Sequence, residues 1–214
     1  MYPIQHLMNS SLTWSITSVT ITCLCIICYS VADIPAALWF HSLEKNWLYE
    51  IFGKITLFGD SLSYLVGGLL LFILFRNKNL YRAYSGLYLF ITVAVSGLTA
   101  DLVKFITGRA RPTLYFSEYL FGFGFFHTEH SWTSFPSGHS ATALSVATLF
   151  ALLYPRWRRV SYFAGSLVAF SRIFLAQHYI SDVIAGSFLG IVSSFFFYKY
   201  YFKLKRDAFD PNKN

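Results

Sequence analysis

Charge is what this sequence has least of. Only 13% of its 214 residues are Asp, Glu, Lys or Arg, while 55% are hydrophobic. A water-soluble domain carries charge on about a quarter of its residues, so a soluble globular fold is excluded. Linkers, low-complexity tracts and internal repeats are lacking too, and a single domain over residues 1–214 is expected. No Lys or Arg precedes the first apolar run and no clear small-residue cleavage site follows it. Residues 11–31 are therefore expected to be a retained span, not a cleaved signal peptide. Cysteine is confined to Cys23, Cys25 and Cys28, inside that run. Cys25 and Cys28 form a C-x-x-C with no second ligand pair, so all three are read as small apolar residues.

What is present is a series of helix-length apolar runs, at about 11–31, 55–75, 83–103, 139–154, 160–177 and 183–202. A membrane-crossing helix needs about 20 such residues. The fourth and fifth runs are shorter, as expected where polar site residues cap them. The expected fold class is all-α, an integral membrane bundle of about six transmembrane helices. Eleven of the seventeen basic residues (Arg76, Lys78, Arg82, Arg156, Arg158, Arg159, Lys199, Lys203, Lys205, Arg206, Lys213) fall in alternate connections or the tail. Positive charge marks that side as cytoplasmic, with both termini inside. Topology thus accounts for most of the net charge of +7, and no nucleic-acid partner is needed to explain it.

The opposite connections carry the polar residues that topology does not explain. Lys104, Arg109, Arg111 and Pro112 close the third run; Pro136, Ser137, Gly138 and His139 open the fourth; Arg172, His178 and Asp182 join the fifth to the sixth. Three cations from separate segments, Lys104, Arg111 and Arg172, repel one another unless an anion lies between them. Phosphate suits both the arginine fork and the lysine point charge. A helix opening at Pro136-Ser137-Gly138 presents unpaired N–H groups to the same anion, and Gly138 allows close approach. His178 and Asp182 are four residues apart, so they share a helix face, and a carboxylate on one ring nitrogen leaves the other free to attack. His139 is available as a proton donor. Arg172 and His178 are six apart and converge only if the chain breaks near His178 and Tyr179.

These residues resemble the type 2 phosphatidic acid phosphatase (PAP2) superfamily, whose signature is K-x6-RP, PSGH and SR-x5-H-x3-D. All three parts are present, in order and between expected spans. The resemblance implies a PAP2/haloperoxidase-like core and a metal-independent lipid phosphate phosphatase with no cofactor. It implies His178 as the nucleophile that becomes phosphohistidine, Asp182 as its orienting partner and His139 as the general acid. Lys104, Arg111, Ser137, Gly138 and Arg172 are implied to hold the phosphate. The implied partners are membrane lipids and a lipid phosphate: phosphatidylglycerol phosphate, phosphatidic acid, a polyprenyl diphosphate or lipid A. The expected setting is a bacterial inner membrane with the site facing outward. A phosphotransferase and a non-catalytic lipid-phosphate binder are the alternatives, and the paired histidines argue against mere binding.

Other residues carry plainer readings. Arg109 is balanced between phosphate and headgroups. The loop cluster His127, Glu129 and His130 matches no metal-ligand spacing and reads as a solvated loop. Asp101, one turn before Lys104, is expected to pair with it. The aromatic stretch 114–126 is too short and glycine-broken to span and is expected at the outer interface.

Overall fold

The structure, a computed structural model, describes residues 11–203. Lys205, Arg206 and Lys213 of the basic tail lie outside the described residues. The long helices are α1 (Ser11–Val31), α4 (Ser61–Phe75), α5 (Leu80–Thr107), α7 (Gly138–Leu153), α8 (Arg158–Phe174) and α9 (Ile180–Phe197). Shorter ones are α2 (Asp33–His41), α3 (Trp47–Ile55) and α6 (Pro112–Glu118). No strand occurs among the described residues; Arg109 and Phe123 form one isolated bridge.

Four segments are long and apolar enough to cross a membrane: Leu12–Val31, Trp47–Phe75, Leu80–Thr107 and Ile180–Phe202. At 16 and 17 residues, α7 and α8 fall short of that measure. The all-helical integral membrane bundle is as expected, with differences in detail. The second crossing begins at Trp47, not at 55, because α3 runs through a 3-10 turn at Thr56–Gly59 into α4. There the Asp60 carboxylate accepts from Leu62 N–H and caps α4. The third is longer at both ends than 83–103. Asn79 caps its start through Arg82 N–H, and Gly108, at φ +51°, ends it in a left-handed turn. The fifth stops at Phe174, not at 177.

In a membrane, helices gain little by hiding apolar surface from one another, so close packing and interhelical hydrogen bonds hold the bundle. α7 is its central post, buried continuously from Ser140 to Leu149. Small residues let α9 approach it: a Cβ on Gly190 would lie 2.1 Å from the Ala141 carbonyl oxygen. One turn earlier, a Cβ on Gly186 would lie 2.2 Å from Ser137 O. A turn beyond Gly190, the Ser194 hydroxyl donates to Ser145 O at 2.6 Å, and Tyr88 of α5 donates to Ser194 O at 2.8 Å. The outer faces of α1 and α4 are apolar and exposed, as suits lipid contact (Ile16, Ile27, Leu70, Leu74). The C-terminal ends of α5 and α8 and the N-terminal ends of α7 and α9 meet at one end of the bundle, with Arg76, Lys78, Arg156 and Arg158 at the other.

Because the atoms facing Gly190 are backbone, Gly190→Ala has no flexible neighbour to displace. It should lower stability in detergent by about 1–3 kcal/mol. Gly97→Ala, on a position with open space around it, should leave the thermal unfolding midpoint unchanged or raised. Thermal unfolding of both variants beside the wild type checks this.

Candidate active site

Past Gly108 the chain leaves the helix, and Arg111 adopts an extended conformation (φ −77°, ψ 160°). A Cβ on Gly108 would sit 2.6 Å from Phe125 N, so the approach of the 121–126 segment also needs glycine there. Arg111 N–H donates to Ser131 O, and Ser134 N–H to Arg109 O, fixing this stretch against the next loop. Arg109 has no exposed surface, while Arg111 lines the cavity described below. Pro112 then starts α6 at a position where a missing N–H costs nothing.

Arg109 is fully buried and does not line the cavity described below. Its Nη2 donates to Asp33 Oδ2 at 2.7 Å and its Nη1 to Asp182 Oδ1 at 2.5 Å. Tyr179, Tyr29, Phe123 and Phe121 surround the guanidinium carbon at 4.6–5.5 Å. Such faces favour a desolvated cation. Asp182 is thereby neutralised from behind, and its Oδ2 also accepts from Ser134 Oγ at 2.6 Å and Tyr179 N at 2.9 Å.

The chain break lies between Phe174 and Ile180. Ala176 adopts φ +49°, and Gln177 and His178 N–H groups both donate back to Arg172 O. That fold-back brings His178 beside Arg172, with its Nδ1 facing Asp182 Oδ2 at 3.6 Å. This is longer than a hydrogen bond, and the buried Nδ1 has no other partner among the described residues. Its Nε2 lies 3.1 Å from Arg111 Nη1. An arginine can only donate, so Nε2 carries the lone pair and Nδ1 the hydrogen. Burial, reinforced by the Arg111 guanidinium, outweighs Asp182 and holds the imidazole down to about 3. The ring is therefore neutral at physiological pH.

A cavity of about 450 Å³ opens onto these groups, and Lys104, Arg111, Gly138, His139, Arg172 and His178 line it. Lys104 Nζ pairs with Asp101 at 2.8 Å and sits 3.1 Å from where a Gly138 Cβ would be, over the start of α7. The first N–H groups of α7 have no helical acceptor and point the same way. Arg111 is held by the carbonyls of His130, Thr133 and Gln177. Arg172 Nη1 donates to Thr56 Oγ1 at 2.9 Å, while its buried Nε has no protein partner. The His139 ring packs on Gly59, where a Cβ would come within 2.9 Å. Ser137 is not in the lining: its hydroxyl accepts from Ser140 N and Oγ as the cap of α7, and its N–H donates to Asp182 O. Asp182 stands behind His178, outside the lining.

The rest of the wall was not foreseen as site: Asp101, Phe105, His127, Thr128, His130 and Thr133. Arg111, burial, Lys104 and Arg172 hold the His130 imidazole below its ordinary range. His127 stacks on Trp132 at 4.7 Å, and no group of three or more His, Cys, Asp or Glu converges for a metal among the described residues. Asp33 was also missed; a lone carboxylate just after the first apolar run was its only signal.

A cation-lined cavity held by helix ends at one face of a membrane bundle defines the class, and residues 85–206 match the PAP2 superfamily. The chain belongs to that superfamily. It is 40% identical over 156 residues to a lipid A 1-phosphatase of Rhizobium etli, covering 66% of each chain. A lipid A 1-phosphatase of Rhizobium johnstonii is 39% identical over 149 residues, 64% of this chain and 61% of that protein. The chain thus spans just under two thirds of the length of these relatives. In structure it resembles the transmembrane PAP2-type phosphatidylglycerolphosphate phosphatase of Bacillus subtilis, with TM-score 0.66 and 22% identity over 88% of this chain and 97% of that one.

Removing the guanidinium shared by Asp33 and Asp182 leaves two buried carboxylates without their cation. Arg109→Ala should cost about 3–5 kcal/mol of stability. Arg172→Ala, beside the cavity and free of any carboxylate partner among the described residues, should cost far less. Comparing their unfolding midpoints in detergent tests which arginine is structural.

Proposed function

We propose that this chain is a lipid phosphate phosphatase that works through a phosphohistidine on His178, without a metal, at the extracytoplasmic face. The observation that carries this is His178 Nε2, which meets Arg111 Nη1 at 3.1 Å on the wall of a cavity lined also by Lys104 and Arg172. Phosphoryl transfer is catalysed mainly by alignment and charge stabilisation. Nε2 attacks phosphorus and the bond to the lipid oxygen breaks; His139 gives that oxygen a proton. Water then attacks the phosphohistidine, His139 takes its proton, and inorganic phosphate leaves. A bound phosphate dianion offsets the three cations and so favours the protonated form of His139 that must donate. Gly138, Lys104, Arg111 and Arg172 hold the phosphoryl oxygens, and Ser137 contributes by capping α7. Asp182 steadies the imidazolium that forms on attack.

The cavity is larger than one phosphate needs, so the headgroup enters with it. Asp101, His127, Thr128, His130 and Thr133 offer hydrogen-bond partners for a sugar or polyol. The similarity to lipid A 1-phosphatases over most of the chain favours a glycosyl phosphate of the lipid A type. The second reading is phosphatidylglycerophosphate, which the 29% identity over 176 residues to phosphatidylglycerophosphatase B of Bacillus subtilis supports.

Phosphate release from a panel of purified lipid phosphates in detergent, with and without EDTA, tests the activity and ranks the two headgroups. Turnover of the wild type should survive chelation, and His178→Ala should abolish it. His139→Ala should be partly rescued by an activated aryl phosphate, whose leaving group needs little protonation. Wild-type turnover in His178→Ala, or none in the wild type on any lipid of the panel, would overturn the reading.

The outward placement of the site rests on the basic residues at the other end of the bundle. A reporter fused after Asn214 should behave as cytoplasmic, and one inserted in the 113–130 loop as external. The reverse pattern would put the site inside.

A further inference from the structure

Asp33 has no part in the three signature motifs and lies outside the residues that match the superfamily. It heads α2, immediately after the first crossing helix, and is fully buried. Both its oxygens are engaged at the site: Oδ1 accepts from Ser181 N at 3.0 Å, and Oδ2 from Arg109 Nη2 at 2.7 Å and Ser181 Oγ at 2.5 Å. Ser181 Oγ in turn accepts from Arg109 Nη1 at 2.6 Å. Asp33 therefore holds two things at once, the guanidinium that neutralises Asp182 and the first turn of α9, which begins two residues after His178.

We propose that Asp33 is a positioning residue for the phosphoryl-transfer step, acting through Arg109 and Ser181 on the Asp182–His178 pair. The inference rests on the phosphohistidine reading above. Its physical basis is charge. Asp33, Asp182 and Arg109 together carry one net negative charge, buried directly behind His178. As Nε2 bonds to phosphorus the ring becomes cationic, and that surplus charge stabilises it. Without the Asp33 carboxylate, Arg109 cancels Asp182 alone, and the imidazolium forms against a neutral background. The same loss frees Ser181 N and Oγ, so the turn carrying Tyr179 and His178 is held on one side only. Asp33 does not line the cavity, so substrate binding is untouched.

The test is Asp33→Asn, which keeps the shape and removes the charge, beside Ser181→Ala, which keeps both charges and removes the bridge. Each purified variant is mixed with a lipid phosphate that the wild type hydrolyses. Phosphohistidine formation is followed in a single turnover by quenching into alkali, where that bond survives. The rate constant per vanadate-binding site is independent of how much protein folds, so a merely structural role leaves it unchanged. Asp33→Asn should lower that constant by about 10- to 100-fold, the range for groups acting through a histidine's partner, with KM held within about threefold. Ser181→Ala should lower it less. A constant within twofold of the wild type in Asp33→Asn, or a loss seen in KM alone, overturns the inference. A wild type that forms no phosphohistidine overturns the phosphohistidine reading and this inference with it.

Discussion

Two buried carboxylates share one guanidinium, and much of the site is arranged around that fact. Placing Asp33, Asp182 and Arg109 out of contact with water is expensive unless every lone pair and N–H finds a partner. The partners here come from four separate parts of the chain, and of the three side chains only Arg109 leaves a group, its Nε, without one among the described residues. Asp33 heads α2, Arg109 follows α5, Ser134 precedes α7, and Tyr179 and Ser181 open α9. Aromatic faces from Tyr29 to Tyr179 close over the cation. The cluster is thus a knot that ties the first crossing helix and three site loops to one point. His178 hangs from it by a single residue.

The cavity in front of this knot obeys the opposite rule. Behind His178 charge is balanced to within one unit; in front of it Lys104, Arg111 and Arg172 face one another, with Asp101 the acidic residue among those that line the cavity. The protein holds that repulsion by tying Arg111 to the carbonyls of His130, Thr133 and Gln177, Arg172 to the Thr56 hydroxyl and Lys104 to the Asp101 carboxylate. The close α7–α9 contact at Gly186 and Gly190 keeps the two helix N-termini from drifting apart. Packing of small residues between α7 and α9 therefore also sets how the segments that open these helices meet at the cavity.

How much of this was legible in the sequence depended on whether a residue's role is local. Lys104, Arg111, Gly138, His139, Arg172 and His178 sit at helix ends, where spacing alone brings them to one side, and the structure gathers them around one cavity. The break between Arg172 and His178 could be foreseen from geometry, but its extent could not. Leu175 and Ala176 are apolar, so hydropathy continues past Phe174, while the backbone at Ala176 has already turned left-handed. Helices α2 and α3 were missed because a polar turn at 42–46 divides them into pieces shorter than any span. Arg109 could not be assigned from composition; its two buried carboxylate partners, Asp33 and Asp182, decide it. Its partner Asp33 lies 76 positions earlier, a distance at which a single carboxylate leaves no pattern. The aromatic stretch after α6 proved to be divided. Phe121 and Phe123 cover Arg109, whereas Phe125 and Phe126 remain 58% and 68% exposed.

The hydrogen bond from Arg111 to His178 Nε2 has one further consequence. Under the proposed phosphohistidine reading, the lone pair that would attack phosphorus is the one to which the guanidinium donates. The same guanidinium lines the cavity, where an anionic phosphoryl group would compete for it. Attack and anion recognition then meet in one side chain.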